Sequence, residues 1–239
     1  AVADEQIKNP DKFSYRYAIY PGLKIKRIFS RAYPAMLDYF KVSGYRPDTF
    51  ELKVEDFDHK IDITTTSDGI EFEFKFKGSI DRVDKNEEGL LRVVDYKSYA
   101  KDIDYKKVAD GVQIQLFAYA YGLRLQPGNE VDNVGYIGIY LPTKRPEKKN
   151  KPPKLFEYNC ANTSNYDLNA VIDYAGLKLH DTCKMIASGK GAAHLTGSEY
   201  DMACTFCSFK GACGRLLNID DNPGKAQAKA ISDSWKRGK

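Results

Sequence analysis

Three residues carry chemistry by type and spacing: Asp81, Asp95 and Lys97, in the segments GSIDRVD and VVDYKS. Residues two apart on a strand share a face, so an extended VVDYKS presents Asp95 and Lys97 side by side, with Val94 and Tyr96 on the opposite face. The intervening KNEEG is a turn sequence, and a hairpin about it returns Asp81 toward Asp95, so that two carboxylates converge. Two hard oxygen donors, with a backbone carbonyl such as that of Tyr96 and water, suit Mg²⁺ or Mn²⁺. Such an ion stabilises charge on a phosphodiester and acidifies a bound water, and an adjacent ammonium orients that water and offsets developing negative charge. An Asp-x-Lys on a strand is met equally by a surface salt bridge of Asp95 with Lys97 or Arg82, and the fragment alone does not decide between the two.

The elements that must position these residues are readable from periodicity. Leu23 to Val42 repeats apolar residues at helical spacing, interrupted by Pro34 and stopped by Gly44, which predicts a helix or a broken helix pair. Phe50, Leu52 and Val54 then alternate with charged residues, and Ile61 and Ile63 continue that pattern after a turn. From Ile70 the alternation runs through Phe76 and on past Gly78 to Asp84, which predicts one long strand paired with LLRVVDYKS. Asp110 to Leu125 reads as a helix, VGYIGIYLP as an interior strand, and LFEYN as its neighbour. A helix from about Tyr166 to Ser188 follows, with Thr163 and Ser164 as cap candidates and Gly189 as its stop, and the tail KAQAKAISDSWKRGK suits a final helix. The order implies an α/β sandwich.

Composition narrows the class. The 239 residues are 42% hydrophobic and 29% charged, ordinary for a globular chain. No stretch reaches the roughly 18 apolar residues of a membrane span, and the first residues lack a signal-peptide core, so a cytoplasmic protein without membrane association is expected. A net charge of +4 does not by itself indicate nucleic acid. Its distribution says more: Pro142 to Lys154 holds six basic residues against one acidic, with four prolines. Lys144, Arg145, Lys148 and Lys149 there are candidate DNA-backbone contacts, against the alternative of a solvated loop.

The five cysteines, an odd number without a secretory signal, argue against a disulfide framework. Cys204, Cys207 and Cys213 form Cys-x2-Cys-x5-Cys, a spacing for a metal centre, with zinc and an iron–sulfur cluster both open. Cys160 ends a strand and Cys183 sits within a helix, where a small core residue is ordinary.

In this order the motifs resemble those of RecB-like PD-(D/E)XK nucleases: GSIDRVD, then VVDYKS, then Gln115 and Tyr119 in QLFAY one helical turn apart. The resemblance implies a restriction-endonuclease-like three-layer α/β/α sandwich with a mixed central sheet and a C-terminal cysteine-rich extension. It implies three parts: an N-terminal helical segment over 1–45, a nuclease core over 46–196, and a cysteine-cluster extension with the tail over 197–239. It makes Asp81 and Asp95 metal ligands with the Tyr96 carbonyl, Lys97 the catalytic lysine, and Gln115 and Tyr119 a supporting pair that contacts DNA or buttresses the site. The implied activity is a Mg²⁺- or Mn²⁺-dependent deoxyribonuclease, an exonuclease on single-stranded DNA, working in DNA repair or recombination with a helicase partner. The cysteine triplet resembles the iron–sulfur staple of AddB-type helicase-nuclease subunits, where three such cysteines and a fourth far upstream hold a 4Fe-4S cluster. Two features depart from the pattern. No cysteine precedes Cys160, and none of His59, His180 and His194 occupies the upstream helix where the family carries a histidine. One upstream truncation would account for both. Glu51 is a further carboxylate candidate, and a non-catalytic DNA-binding scaffold that kept the fold is the competing class.

Overall fold

A computed structural model describes residues 15–98, 101–139, 156–189, 208 and 224–238. The basic loop with Lys144, Arg145, Lys148 and Lys149, and the triplet Cys204, Cys207 and Cys213, lie outside the described residues. The elements are α1 (Tyr15–Ser43), β1 (Tyr45–Lys53), a 3-10 turn (Val54–Asp56), β2 (Asp62–Ser67), β3 (Ile70–Lys75), β4 (Ser79–Asn86) and β5 (Leu91–Lys97). They continue with α2 (Tyr105–Ala109), α3 (Gln115–Arg124), β6 (Val131–Ile139), β7 (Phe156–Cys160), α4 (Leu168–Ala187) and α5 (Gly224–Ser234).

Five strands form a mixed sheet in the order β1-β4-β5-β6-β7, antiparallel except for the parallel β5–β6 pair. The connection from β5 to β6 passes through α2 and α3, as a parallel pair requires. The interior strand and its neighbour were legible in sequence: β6 is buried along most of its length, and β7 lies against it. The expected α/β sandwich is therefore present, with α3 and α4 packed together on one face of the sheet and α1 on the other.

The strand expected from Ile70 to Asp84 is two strands in two sheets. β3 pairs with β2 as a separate hairpin, closed by the two-residue turn Asp68-Gly69 with φ of 52° and 78°. β4 belongs to the main sheet. The chain breaks at Gly78, whose N–H donates to Glu55 Oε2 (3.2 Å) and whose carbonyl accepts from Val54 N (2.9 Å). A side chain there would meet the Tyr119 hydroxyl at 2.8 Å, so α3 approaches closely only because the residue is glycine. Unbroken alternation tells which residues share a face and not which sheet they join.

Pro34 does not divide α1, which runs unbroken to the positive-φ Gly44. A proline inside a helix costs about 3 kcal/mol. Tertiary anchoring offsets this: Ile28 and Ala32 are buried, and Tyr39 and Phe40 cover guanidinium groups of the sheet. α3 starts at Gln115 rather than Asp110, after a separate one-turn α2 capped by Asp104. It is also buried beyond one amphipathic stripe, because the sheet and α4 enclose it. α4 is capped by the Asp167 carboxylate, which accepts from Asn169 N and Ala170 N, and not by Thr163 or Ser164. Gly189 ends it with φ 65° as expected. The tail helix α5 packs against α2, and Trp235 just beyond it is buried in the core.

The α1 face of the sheet is unusual in burying charge. Arg82, Asp84 and Arg92 are 1%, 0% and 3% exposed. Asp84 bridges the two guanidiniums, 2.6 Å from Arg82 Nε and 2.7 Å from Arg92 Nη2. Aromatic rings take up the rest: Arg92 lies over Tyr39, Tyr45 and Tyr158, and Arg82 over Phe40 and Tyr96. Gly135 makes room for the Tyr158 ring, since a Cβ there would sit 2.7 Å from it. Removing Asp84 leaves two cations buried without a carboxylate. Asp84→Ala is therefore expected to lower unfolding free energy by about 3–5 kcal/mol in urea titrations, and a loss below about 1 kcal/mol would show that the cluster is not the clamp it looks to be.

Candidate active site

The site forms where the β4–β5 ladder stops. Register runs from Lys85↔Leu91 to Arg82↔Val94, and the next pair would be Asp81 with Asp95. Instead β4 continues along β1, paired as far as Ser79↔Lys53, while β5 continues along β6 as far as Lys97↔Gly138. The two strands diverge into a wedge. Asp81 Oδ2 accepts the Tyr96 N–H at 2.8 Å, so a side chain takes the place of a ladder carbonyl. N–H and C=O of one strand residue point to the same side, and the Tyr96 carbonyl accordingly faces the wedge as well.

Asp95 lies on the α3 face of β5, in line with the core residues Leu91 and Val93. It is 4% exposed and its Oδ2 is 2.5 Å from Lys97 Nζ. That contact is an ion pair, and the same buried oxygen has no directed hydrogen bond. Burial pushes the Asp95 carboxyl above the usual carboxylate range; Lys97 pulls it back, and the nearby Asp81 charge adds a smaller upward push. The sequence expectation that Asp81, Asp95 and Lys97 come together is met in geometry.

The parallel register sets Tyr136 of β6 opposite Asp95. Its buried ring carries two ammonium groups, Lys101 Nζ at 4.5 Å and Lys97 Nζ at 5.8 Å from the centroid. Burial lowers the Lys101 pKa, with repulsion from Lys97 adding to it and Asp95 opposing. Sequence reasoning missed both residues. Lys101 lies past the strand, where no periodicity assigns a face, and Tyr136 is brought in by a parallel pairing that the sequence does not reveal.

Gln115 and Tyr119 do face one another, with Gln115 Nε2 donating to the Tyr119 hydroxyl at 3.3 Å. Their surroundings differ from the expectation of a polar rim. Tyr119 is buried, with its ring against Gly78 and edge-on to Phe76 at 6.2 Å, so it buttresses the entry to β4 three residues before Asp81. Gln115 is exposed on the first turn of α3. Glu51 sits in β1 with φ 49°, and its carboxylate accepts from Ser79 Oγ at 3.2 Å. Among the described residues no three His, Cys, Asp or Glu side chains converge as a metal-ligating group, so Glu51 does not join the two aspartates. His59 precedes β2 and His180 lies on α4, away from the upstream helix.

The donor set nevertheless suits a hard divalent cation. Asp95 offers a buried carboxylate oxygen without a directed hydrogen bond, Asp81 offers the oxygen not engaged by Tyr96 N, and the Tyr96 carbonyl opens to the same wedge.

Comparison with known proteins agrees with this geometry. A family model described as the PD-(D/E)XK nuclease superfamily matches residues 2–214. Among characterised relatives, a subunit of the ATP-dependent helicase/deoxyribonuclease of Anoxybacillus flavithermus is 38% identical over 110 residues, covering 44% of this chain and 9% of that protein. The like-named protein of Streptococcus agalactiae is 30% identical over 155 residues, covering 65% of this chain and 13% of its own length. The chain thus spans about a tenth of the relatives it matches. The crystal structure of SSO0001 aligns with 88% of this chain and 80% of its own at 9% identity and a TM-score of 0.30, a likeness too weak to inform the fold. With a family match across most of its length, and with the Asp81, Asp95 and Lys97 cluster at the divergence of β4 and β5, the chain belongs to the PD-(D/E)XK nuclease superfamily.

Proposed function

We propose that this chain is a deoxyribonuclease domain that hydrolyses DNA phosphodiesters with Mg²⁺ or Mn²⁺ at the β4–β5 wedge. The observation that carries the reading is the pairing of two carboxylates, one of them buried with an oxygen lacking a directed hydrogen bond, beside an ammonium 2.5 Å away. A buried charge in this state is unfavourable for stability and has a chemical reason to persist.

Asp81, Asp95 and the Tyr96 carbonyl would hold the cation, which when bound polarises the phosphoryl oxygen and acidifies a water. Lys97 orients the attacking water and offsets negative charge as it develops on the phosphate. Asp95 holds that ammonium in place, and Tyr136 supports it from below. Tyr119, braced by Gln115, fixes the start of β4 and hence Asp81, and Gln115 remains accessible to DNA at the helix terminus. In this reading Lys144, Arg145, Lys148 and Lys149 contact the DNA backbone, and the domain is an exonuclease on single strands fed by a helicase segment or partner. The names of the relatives support the last point, since each is part of a helicase/deoxyribonuclease. No helix among the described residues is long and apolar enough to cross a membrane, which accords with cytoplasmic DNA repair. Cys204, Cys207 and Cys213 would ligate an iron–sulfur cluster, with zinc as the alternative; visible absorption and metal analysis of anaerobically prepared protein separate the two.

Two outcomes are expected. Asp95→Ala and Lys97→Ala should each reduce Mg²⁺-dependent digestion of single-stranded DNA by roughly 10²- to 10³-fold, as for loss of one transition-state contact. Digestion at the parental rate by both variants would contradict the assignment, and a parent that binds DNA without cutting it would favour the scaffold class. The pH dependence follows from Asp95. Metal binding needs the ionised carboxylate, and a raised pKa means that protons compete at higher pH than for an ordinary aspartate. Calorimetric Mn²⁺ affinity should therefore weaken as pH falls, beginning above the ordinary value of 3.8. Affinity constant down to that pH would show that Asp95 is not a ligand.

A further inference from the structure

We infer that Lys101 is a second phosphate-binding cation of the site, holding a non-bridging oxygen of the scissile phosphodiester; the inference rests on the nuclease reading above and adds a substrate contact to it. The loop carrying Lys101 is fixed on both sides. Asn159 Nδ2 on β7 donates to the Lys101 carbonyl at 3.2 Å, and the buried Gln113 side chain accepts from Asp104 N (2.9 Å) and donates to the Asp102 carbonyl (3.2 Å). The ammonium is thereby held over the buried Tyr136 ring, which Lys97 also approaches from the Asp95 side.

Two ammonium groups converging on one ring repel each other, and the arrangement needs a compensating anion. Asp95 lies within ion-pair distance of Lys97, whereas among the described residues no carboxylate lies that close to Lys101. The charge count points the same way. Asp81 and Asp95 balance Lys97 and Lys101 without metal, and a divalent cation in the wedge would leave the site with a surplus of two positive charges. A phosphodiester carries one negative charge and gains a second as an oxygen nucleophile adds to phosphorus. The surplus matches the species to be stabilised, and an ammonium already held in place costs no reorganisation when it is needed.

The position relative to Lys97 separates the two roles. Lys97 is tied to the carboxylate that would bind metal and so belongs on the side of the attacking water. Lys101 has its ring contact on one side and has no such tie, which leaves it for the phosphate oxygens.

The test uses Lys101→Met, which keeps the alkyl stem over Tyr136 and removes the charge, and Lys101→Arg, which keeps the charge. Binding of a fluorescent single-stranded oligonucleotide is measured by anisotropy in Ca²⁺ over a series of salt concentrations, beside Mn²⁺ calorimetry, thermal midpoints and Mg²⁺-dependent cleavage. The expected result is oligonucleotide affinity roughly tenfold to a hundredfold weaker for Lys101→Met, the range for a lost charged hydrogen bond. The slope of log affinity against log salt should fall by about 0.7, one phosphate contact on a single strand. Lys101→Arg should recover most of both, with Mn²⁺ affinity and thermal midpoint unchanged in either variant. Parental affinity and slope in Lys101→Met would overturn the inference, as would weakened binding with an unaltered slope or with lost Mn²⁺ affinity, since these mark a scaffolding role. A parent that binds the oligonucleotide without cleaving it would refute the nuclease reading, while the Lys101 comparison in Ca²⁺ would still decide the phosphate contact. A parent that does not bind it would overturn both.

Discussion

At Asp81 an antiparallel ladder stops because a side chain replaces a backbone acceptor. The Tyr96 N–H, which would otherwise bond across to β4, is satisfied by the Asp81 carboxylate, and the backbones of β4 and β5 are free to separate. A buried N–H left without a partner would cost about 1–3 kcal/mol, so the strands could not part at this position without such an acceptor. Everything chemical in the molecule follows from that substitution: two carboxylates and a carbonyl face a wedge instead of a closed sheet.

Holding a wedge open needs rigidity on both flanks, and the fold supplies it differently on each face. On the α3 face, Tyr119 packs against Gly78, and Gly78 is tied to Val54 and Glu55, which fixes where β4 begins. On the α1 face, Arg82 immediately follows Asp81 and donates to the Tyr96 hydroxyl, while Asp84 and the aromatic rings immobilise Arg82. The two strands are thus cross-linked on one face by Arg82–Tyr96 and on the other by Asp81 with the Tyr96 amide. Arg82, Asp84 and Arg92 place a net positive charge inside the protein, tolerable because Asp84 touches both guanidiniums and aromatic faces line the remainder.

The site was more legible in the sequence than the scaffold around it. Asp95 and Lys97 share a face by simple period two, and KNEEG announces the turn that returns Asp81, so local rules sufficed for the central three residues. Local rules failed where the answer depended on remote partners. The Ile70–Asp84 alternation continues through a change of sheet because Gly78 is pulled out of line by Glu55, Val54 and Tyr119, distant in sequence. Pro34 looked like a break because its cost is local, whereas the contacts that keep α1 whole come from β4 and β5. Tyr136 and Lys101 reach the site only through the parallel β5–β6 register and the loop anchored by Gln113 and Asn159. Asp84, read in the sequence only as part of a motif, is the centre of the clamp on the far face.

The central claim is that the wedge is a metal site, and diffraction from crystals soaked in Mn²⁺ tests it most directly through anomalous difference density. A peak is expected between β4 and β5, bonded to Asp81, Asp95 and the Tyr96 carbonyl at roughly the 2.0–2.2 Å of small divalent cations with oxygen ligands. Lys97 should be displaced from Asp95 Oδ2 in the same crystals. A wedge without density at saturating Mn²⁺, with the Asp95–Lys97 ion pair intact, would contradict the claim.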